Sequence, residues 1–220
     1  MNFKQLLSYI LPINIFQIES EINQNLEVTW NNGSLVLDSK NTNFSFGSLE
    51  RVMRIGLNSI GKESIKNYQS VLVLGVGGGS VIKLLQDEFQ YCEKIIGVEL
   101  DPKIIEIANQ YFGLNRRKNI EIIIEDASEF VKNTKVTYDL IVIDIFQDKI
   151  MPDFLFSSPF TSDLHKILSE NGSILFNTIV TLSADYERNA VYHQLVKENF
   201  LSITKLKNVE GDNELFIMSR

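Results

Sequence analysis

The chain has 220 residues, 44% of them hydrophobic and 22% charged, with a net charge of −7, the balance of an ordinary globular protein with one substantial core. Its densest basic run is only Arg116–Arg117–Lys118, which argues against a nucleic-acid substrate and for a small-molecule acceptor. One cysteine, Cys92, and two histidines, His165 and His193, make neither a disulfide framework nor a zinc site.

The opening MNFKQLLSYILPINIF is interrupted by Pro12 and Asn14 and is too short to span a bilayer. It lacks a basic head and a small-residue cleavage site, so a cytoplasmic protein without a membrane segment is expected. Residues from about 17 to 45 are β-rich. Val28–Trp30 and Leu35–Leu37 flank Asn31–Asn32–Gly33–Ser34, a hairpin whose Asn-Gly pair tolerates positive φ angles. The edge of this β segment is the expected surface for a homodimer. Leu49, Val52, Met53, Ile55 and Leu57 then follow helical spacing, and Gly61 ends the helix. Residues 1–60 therefore read as an N-terminal hairpin and helix region, and 61–220 as one α/β domain.

From residue 70 strands and helices alternate. Strands are expected at Val71–Leu74, Lys94–Val98, Ile120–Ile124, Tyr138–Ile143 and Ser173–Asn177. Helices are expected from about Val81 to Phe89, at Pro102–Phe112 and Ala127–Val131, over 153–169 and over 185–199. Asn171–Gly172 reads as a turn. The apolar strand Val71–Leu74 suits burial on both faces. The alternation predicts a mostly parallel sheet covered on both sides. Leu201–Leu206 and Glu214–Met218 are joined by a short turn, so they pair antiparallel, and the last strand inserts against the parallel run.

In such sheets ligands bind beyond the carboxyl ends of the strands, where the strand order reverses. Four motifs fall at such ends. Gly75–Val76–Gly77–Gly78–Gly79–Ser80 joins the first parallel strand to its helix, and glycines there let the backbone turn sharply and approach a ligand. Glu99, followed by Leu100, ends the second strand, where a carboxylate can accept from both ribose hydroxyls. Asp101, before Pro102, reads as a helix cap. Asp126 follows the third strand. It can receive an adenine amino group while the N–H of Ala127 meets a ring nitrogen, and it serves equally well as a cap. Asp144 ends the fourth strand beside the expected reacting centre, where a carboxylate can hold an acceptor or take its proton.

Together VLVLGVGGGS, GVELDP, IEDASEFV and YDLIVIDIFQD resemble the class I S-adenosylmethionine-dependent methyltransferase superfamily, and within it the spermidine synthase-like branch. The resemblance covers about residues 25–220 and implies a Rossmann-like sheet with a small N-terminal β-hairpin region. It implies that Glu99 binds ribose, that Asp126 with Ala127 binds adenine, and that Asp144 is the catalytic or acceptor-orienting carboxylate. The branch's glycine loop has an Asp that meets the donor's aminopropyl amine, and Gly78 stands in its place. Its gatekeeping loop has a second Asp where Gln147 stands, with Asp148 one residue later. Its Tyr-His-Glu diamine cluster matches Phe46–Gly47–Ser48.

A diamine carries two charges that carboxylates must compensate on desolvation. These departures make a methyltransferase using intact S-adenosylmethionine the leading expectation. The alternatives are an aminopropyltransferase using decarboxylated S-adenosylmethionine, with Asp148 and Glu50 as replacement acids, and a binding module without turnover. A nicotinamide oxidoreductase is disfavoured by Ser80, where the dinucleotide pattern prefers Gly or Ala. Phe146 with Lys149–Phe156 is expected to form a lid on the acceptor side. Trp30, Tyr111 and Phe112 read as packing.

Overall fold

The computed structural model describes residues 3–39, 43–45, 48–146 and 150–220. An antiparallel sheet comes first. It holds β1 (Ile13–Ser20), β2 (Gln24–Asn31), β3 (Ser34–Ser39) and the short β4 (Asn43–Ser45), in that order. The β2–β3 hairpin is the expected one, with Asn32 at φ 48° and Gly33 at φ 79°. Strand β1 was not foreseen over its whole length, and neither were the short helices α1 (Phe3–Leu7) and α3 (Lys62–Asn67). Helix α2 (Ser48–Ile60) follows the expected spacing and lies against the large sheet.

The large sheet has seven strands. Its parallel members are β5 (Ser70–Leu74), β6 (Lys94–Glu99), β7 (Ile120–Ile124), β8 (Tyr138–Ile143) and β9 (Leu168–Ile179). The chain ends in β10 (Ser202–Val209) and β11 (Asn213–Ser219). The strand order is β10-β11-β9-β8-β5-β6-β7. β11 runs antiparallel between β9 and β10, so the last strand does insert against the parallel run. The order reverses at β5: β6 and β7 lie on one side, β8 and β9 on the other.

Alternation along the strands builds two cores. Val71, Val73, Leu140 and Val142 face one side, where they meet α2 and α4 (Ser80–Asp87). Leu72, Leu74, Ile141 and Ile143 face the other, where they meet α6 (Ala127–Asn133), α7 (Ser158–Ile167) and α8 (Ser183–Val196). Strands buried on both faces need continuous apolar runs, as these have. A Cβ at Gly97 would lie 2.7 Å from Val76 Cγ2. The bare position lets the side chain of the glycine loop settle onto β6.

The expected helix over 153–169 is two elements, a 3-10 turn at Asp153–Phe156 and α7. Ser157 caps α7 through its Oγ, with Pro159 in the first turn. Ser157 has an extended backbone at φ −84° and ψ 149°, which ends the 3-10 turn, and Pro159 suits the first turn of the new helix. Residues 169–172 lie within β9 rather than in a separate turn. The ladder nonetheless skips them, since Tyr138 pairs with Leu168 and Leu140 with Ser173.

The small sheet packs Leu26, Val28 and Leu37 against Ile104 and Ile107 of α5 (Pro102–Tyr111). A polar joint adds to this. Asp101 is 1% exposed and caps α5 by accepting from Lys103 N at 2.9 Å. Its Oδ2 also accepts from Ser20 Oγ, at the end of β1, and, at 2.8 Å, from Asn23 Nδ2 in the β1–β2 connection. Asp101→Ala should thus remove a cap and loosen the small sheet, for about 2–3 kcal/mol in urea unfolding. A loss below about 0.5 kcal/mol would mean that the joint contributes little. Among the described residues, no helix is long and apolar enough to cross a membrane.

Candidate functional site

The carboxyl ends of β5, β6, β7 and β8 meet in one cleft, enclosing about 750 Å³ of non-protein space with its open mouth included. Single backbone bonds tie each strand end to the next. Gly75 N donates to Val98 O at 2.9 Å, Asp144 N to Leu74 O at 2.9 Å, and Glu125 N to Glu99 O at 3.1 Å. The cleft therefore sits at the point of strand reversal, on a rigid floor.

Gly75 and Gly77 line it, with φ values of 85° and 52°. Gly75 also abuts the loop after β8, because a Cβ there would lie 2.2 Å from the carbonyl oxygen of Asp144. Gly75→Ala combines left-handed strain with a backbone clash and should cost about 3 kcal/mol or more in thermal unfolding. An unchanged melting temperature would contradict this close approach. Gly78 and Gly79 are not on the cleft wall. Gly79 is the left-handed cap of α4.

Glu99 is 8% exposed and accepts four backbone N–H groups. Val76 N and Gly77 N bond Oε2 at 3.1 Å each. Leu100 N bonds Oε1 at 2.9 Å and Asp101 N bonds it at 3.1 Å. Burial pushes its pKa up while these four donors pull it down. The side chain thus clamps the glycine loop as well as facing the cleft. Leu100 lies beside it on the wall.

Asp126 also lines the cleft. It caps α6, its Oδ1 accepting from Ser128 N at 2.8 Å and Glu129 N at 3.3 Å. Among the described residues no partner meets its Oδ2. Ala127, first in α6 and also on the wall, belongs to the turn whose N–H groups a helix leaves without internal partners. Both expected roles of Asp126, cap and wall acceptor, are therefore open to it at once.

Asp144 closes the far side. It is half-buried on the cleft wall. Burial raises its pKa to about 7, opposed by a hydrogen bond from Asn177. Asn177 is fully buried, and its Nδ2 donates to Asp144 Oδ1 at 3.0 Å. Phe146, Pro152 and Phe154 continue the wall. Of the segment expected to be a lid, residues 151–156 are anchored. Leu155 is fully buried, Met151 nearly so, and Phe154 meets Phe160 edge-on at 5.0 Å. Phe46, Gly47, Gln147, Asp148 and Lys149 lie outside the described residues.

Three placements were not foreseen. Ile22 and Asn23 bring the β1–β2 connection onto the wall, across a sequence distance that no local pattern reveals. Asn177 could have been found, since it is a polar residue at the end of the apolar run Ile174–Phe176, the same positional signal as Asp144. Glu50 is not on the wall. It pairs with Arg54 at 2.6 Å and Lys83 at 3.5 Å, so it does not replace a lost acceptor acid.

Comparison with known proteins places this geometry. The spermine/spermidine synthase domain model matches residues 51–206. A polyamine aminopropyltransferase of Clostridium botulinum is 33% identical over 113 residues, covering 50% of this chain and 39% of that protein. The chain thus matches well under half the length of that relative. Spermidine synthase from Thermotoga maritima superposes with a TM-score of 0.74 at 20% identity, over 94% of this chain and 72% of that one. A probable spermidine synthase from Corynebacterium glutamicum gives 0.78 at 16% identity, over 93% and 79%. The matched domain, the reversed seven-stranded order and the cleft at its switch point agree: this chain belongs to the spermine/spermidine synthase domain family.

Proposed function

We propose that the cleft binds an adenosyl sulfonium donor and that the chain transfers the aminopropyl group of decarboxylated S-adenosylmethionine to a small amine. The observation that carries this reading is Asp144, a carboxyl on the cleft wall with a pKa of about 7. Such a group can take a proton from an amine at neutral pH. The amine nitrogen attacks the aminopropyl carbon next to sulfur. The carbon–sulfur bond breaks, its electron pair stays on sulfur, and the neutral thioether leaves. The proton lost by the new ammonium goes to Asp144.

The other wall residues take the donor. Gly75 and Gly77 let the backbone approach it, and Gly78 and Gly79 carry the loop into α4. A carboxylate has about four acceptor directions, and those of Glu99 are occupied, so a ribose hydroxyl shares an oxygen with a loop N–H. Asp126 Oδ2 and Ala127 N–H meet the adenine edge. Leu100 packs on the nucleoside. Phe146 belongs to the acceptor half, to which the sequence resemblance alone assigns Phe46, Gln147 and Asp148.

The sequence departures alone favoured methyl transfer. Relatives named polyamine aminopropyltransferase support the aminopropyl reading instead. Gly78 still favours the second reading, methyl transfer from intact S-adenosylmethionine, because the loop has no carboxylate for an aminopropyl amine. Parallel calorimetric titration separates the two. The decarboxylated donor should bind at least tenfold more tightly. Tighter binding of the intact donor, or binding of neither, would overturn the proposal.

A further inference from the structure

Asp144 is not held alone. Asn177, near the end of β9, donates from Nδ2 to Asp144 Oδ1 at 3.0 Å. Asn213, the first residue of β11, donates from Nδ2 to Asn177 Oδ1 at 2.9 Å. An amide side chain presents a donor or an acceptor depending on which way it is turned. Turned over, Asn177 would set its oxygen against Asp144 and its NH₂ against that of Asn213. Both contacts are unfavourable when Asp144 is ionised. The inserted strand β11 therefore reaches the cleft through one buried amide.

We propose that Asn177 and Asn213 are positioning residues, a two-amide chain that turns a hydrogen-bond donor toward Asp144 and favours its proton-accepting form. Chains of hydrogen bonds polarise one another, so the second amide strengthens the first. The inference deepens the role given to Asp144 above and rests on it for its catalytic meaning. The other acids on the cleft wall are Glu99, Glu125 and Asp126. None of them contributes to the shift of Asp144, which comes from burial opposed by Asn177.

The test is a double-mutant cycle read by carbon-detected NMR titration of the Asp144 carboxyl in the ligand-free protein, assigned with Asp144→Asn. Asn177→Ala should raise the midpoint by about one unit and Asn213→Ala by about half a unit, because each removes support for the ionised form. In the Asn177→Ala background, Asn213→Ala should add nothing. Asn213→Ser, which keeps a donor, should restore most of the original value. An unchanged midpoint in Asn213→Ala overturns the chain. So does an equal shift in both backgrounds, which would make Asn213 act without Asn177.

A second reading needs no amide variant. The side-chain NH₂ signal of Asn177 should titrate with the midpoint of Asp144 and lose that transition in Asp144→Asn. A pH-independent signal would also overturn the proposal. Neither measurement requires turnover or donor. A positive cycle in a protein without transferase activity would sink the functional reading and leave the chain standing.

Discussion

Asp144→Asn is expected to lower turnover by roughly two orders of magnitude or more, the scale of losing an acid–base group, and yet to stabilise the protein at pH 8. The two effects share one cause. Burial raises the carboxyl from 3.8 to about 7. Below about pH 4 the group is protonated whether the chain is folded or not. Between about 4 and 7 the folded protein keeps a proton that the unfolded chain has lost, so stability falls as pH rises. Above 7 the native state carries a buried charge and the full penalty. An asparagine has no charge and can still accept from Asn177 Nδ2. The variant should gain about 2 kcal/mol at pH 8 and much less at pH 5, measured by urea unfolding. In the unmodified protein, the acid limb of kcat/KM for the proposed transfer should rise with a midpoint near 7, as a base of the free protein requires. Donor affinity should stay near normal. Unchanged turnover, or a stability gain that does not depend on pH, would remove Asp144 from this role.

Glu99→Ala is expected to fail in the opposite way. Four backbone N–H groups converge on that carboxylate, and truncation leaves them in a site from which water is largely excluded. An unsatisfied buried donor costs about 1–3 kcal/mol. Relaxation of the loop and entry of water will recover part of the sum, so a net loss of about 3 kcal/mol or more is expected. The glycine loop would lose the anchor that shapes the cleft. Donor binding should fall at least tenfold, before any effect on the chemical step. Glu99→Gln should rescue little, because its NH₂ must face backbone donors on one side. A variant that folds normally and binds donor normally would show that Glu99 neither clamps the loop nor faces the ribose.

The sheet was legible because its central strands carry short apolar runs, Val71–Leu74 and Leu140–Ile143, between loops that announce themselves. Val71–Leu74 followed by glycines, and Tyr138–Ile143 followed by Asp144, permit little else. The antiparallel ending followed from loop length alone. The acids of the cleft, Glu99, Asp126 and Asp144, were legible by position, since each lies at or just after the end of a strand. Their partners were not. Glu99 reads as a ribose acceptor in sequence, and only the folded chain shows that it also gathers the N–H groups of residues 76, 77, 100 and 101. Asp101 reads as a cap, and its second oxygen serves Ser20 and Asn23 about eighty residues away. The single helix expected over 153–169 is two elements because Ser157 takes an extended backbone and caps a new helix. Within the segment expected to be a lid, Met151 and Leu155 are buried in the core, a burial that composition cannot reveal. The order of the two transfer chemistries rests on departures such as Gly78 in the sequence, and relatives named polyamine aminopropyltransferase support the other order.

The most direct test is product analysis by mass spectrometry. The purified protein is incubated with decarboxylated S-adenosylmethionine, or with the intact donor, against a panel of small diamines. The account predicts release of methylthioadenosine and an acceptor heavier by one aminopropyl group with the decarboxylated donor, both abolished by Asp144→Asn. Formation of S-adenosylhomocysteine and a methylated acceptor from the intact donor, with no aminopropyl product, would contradict it.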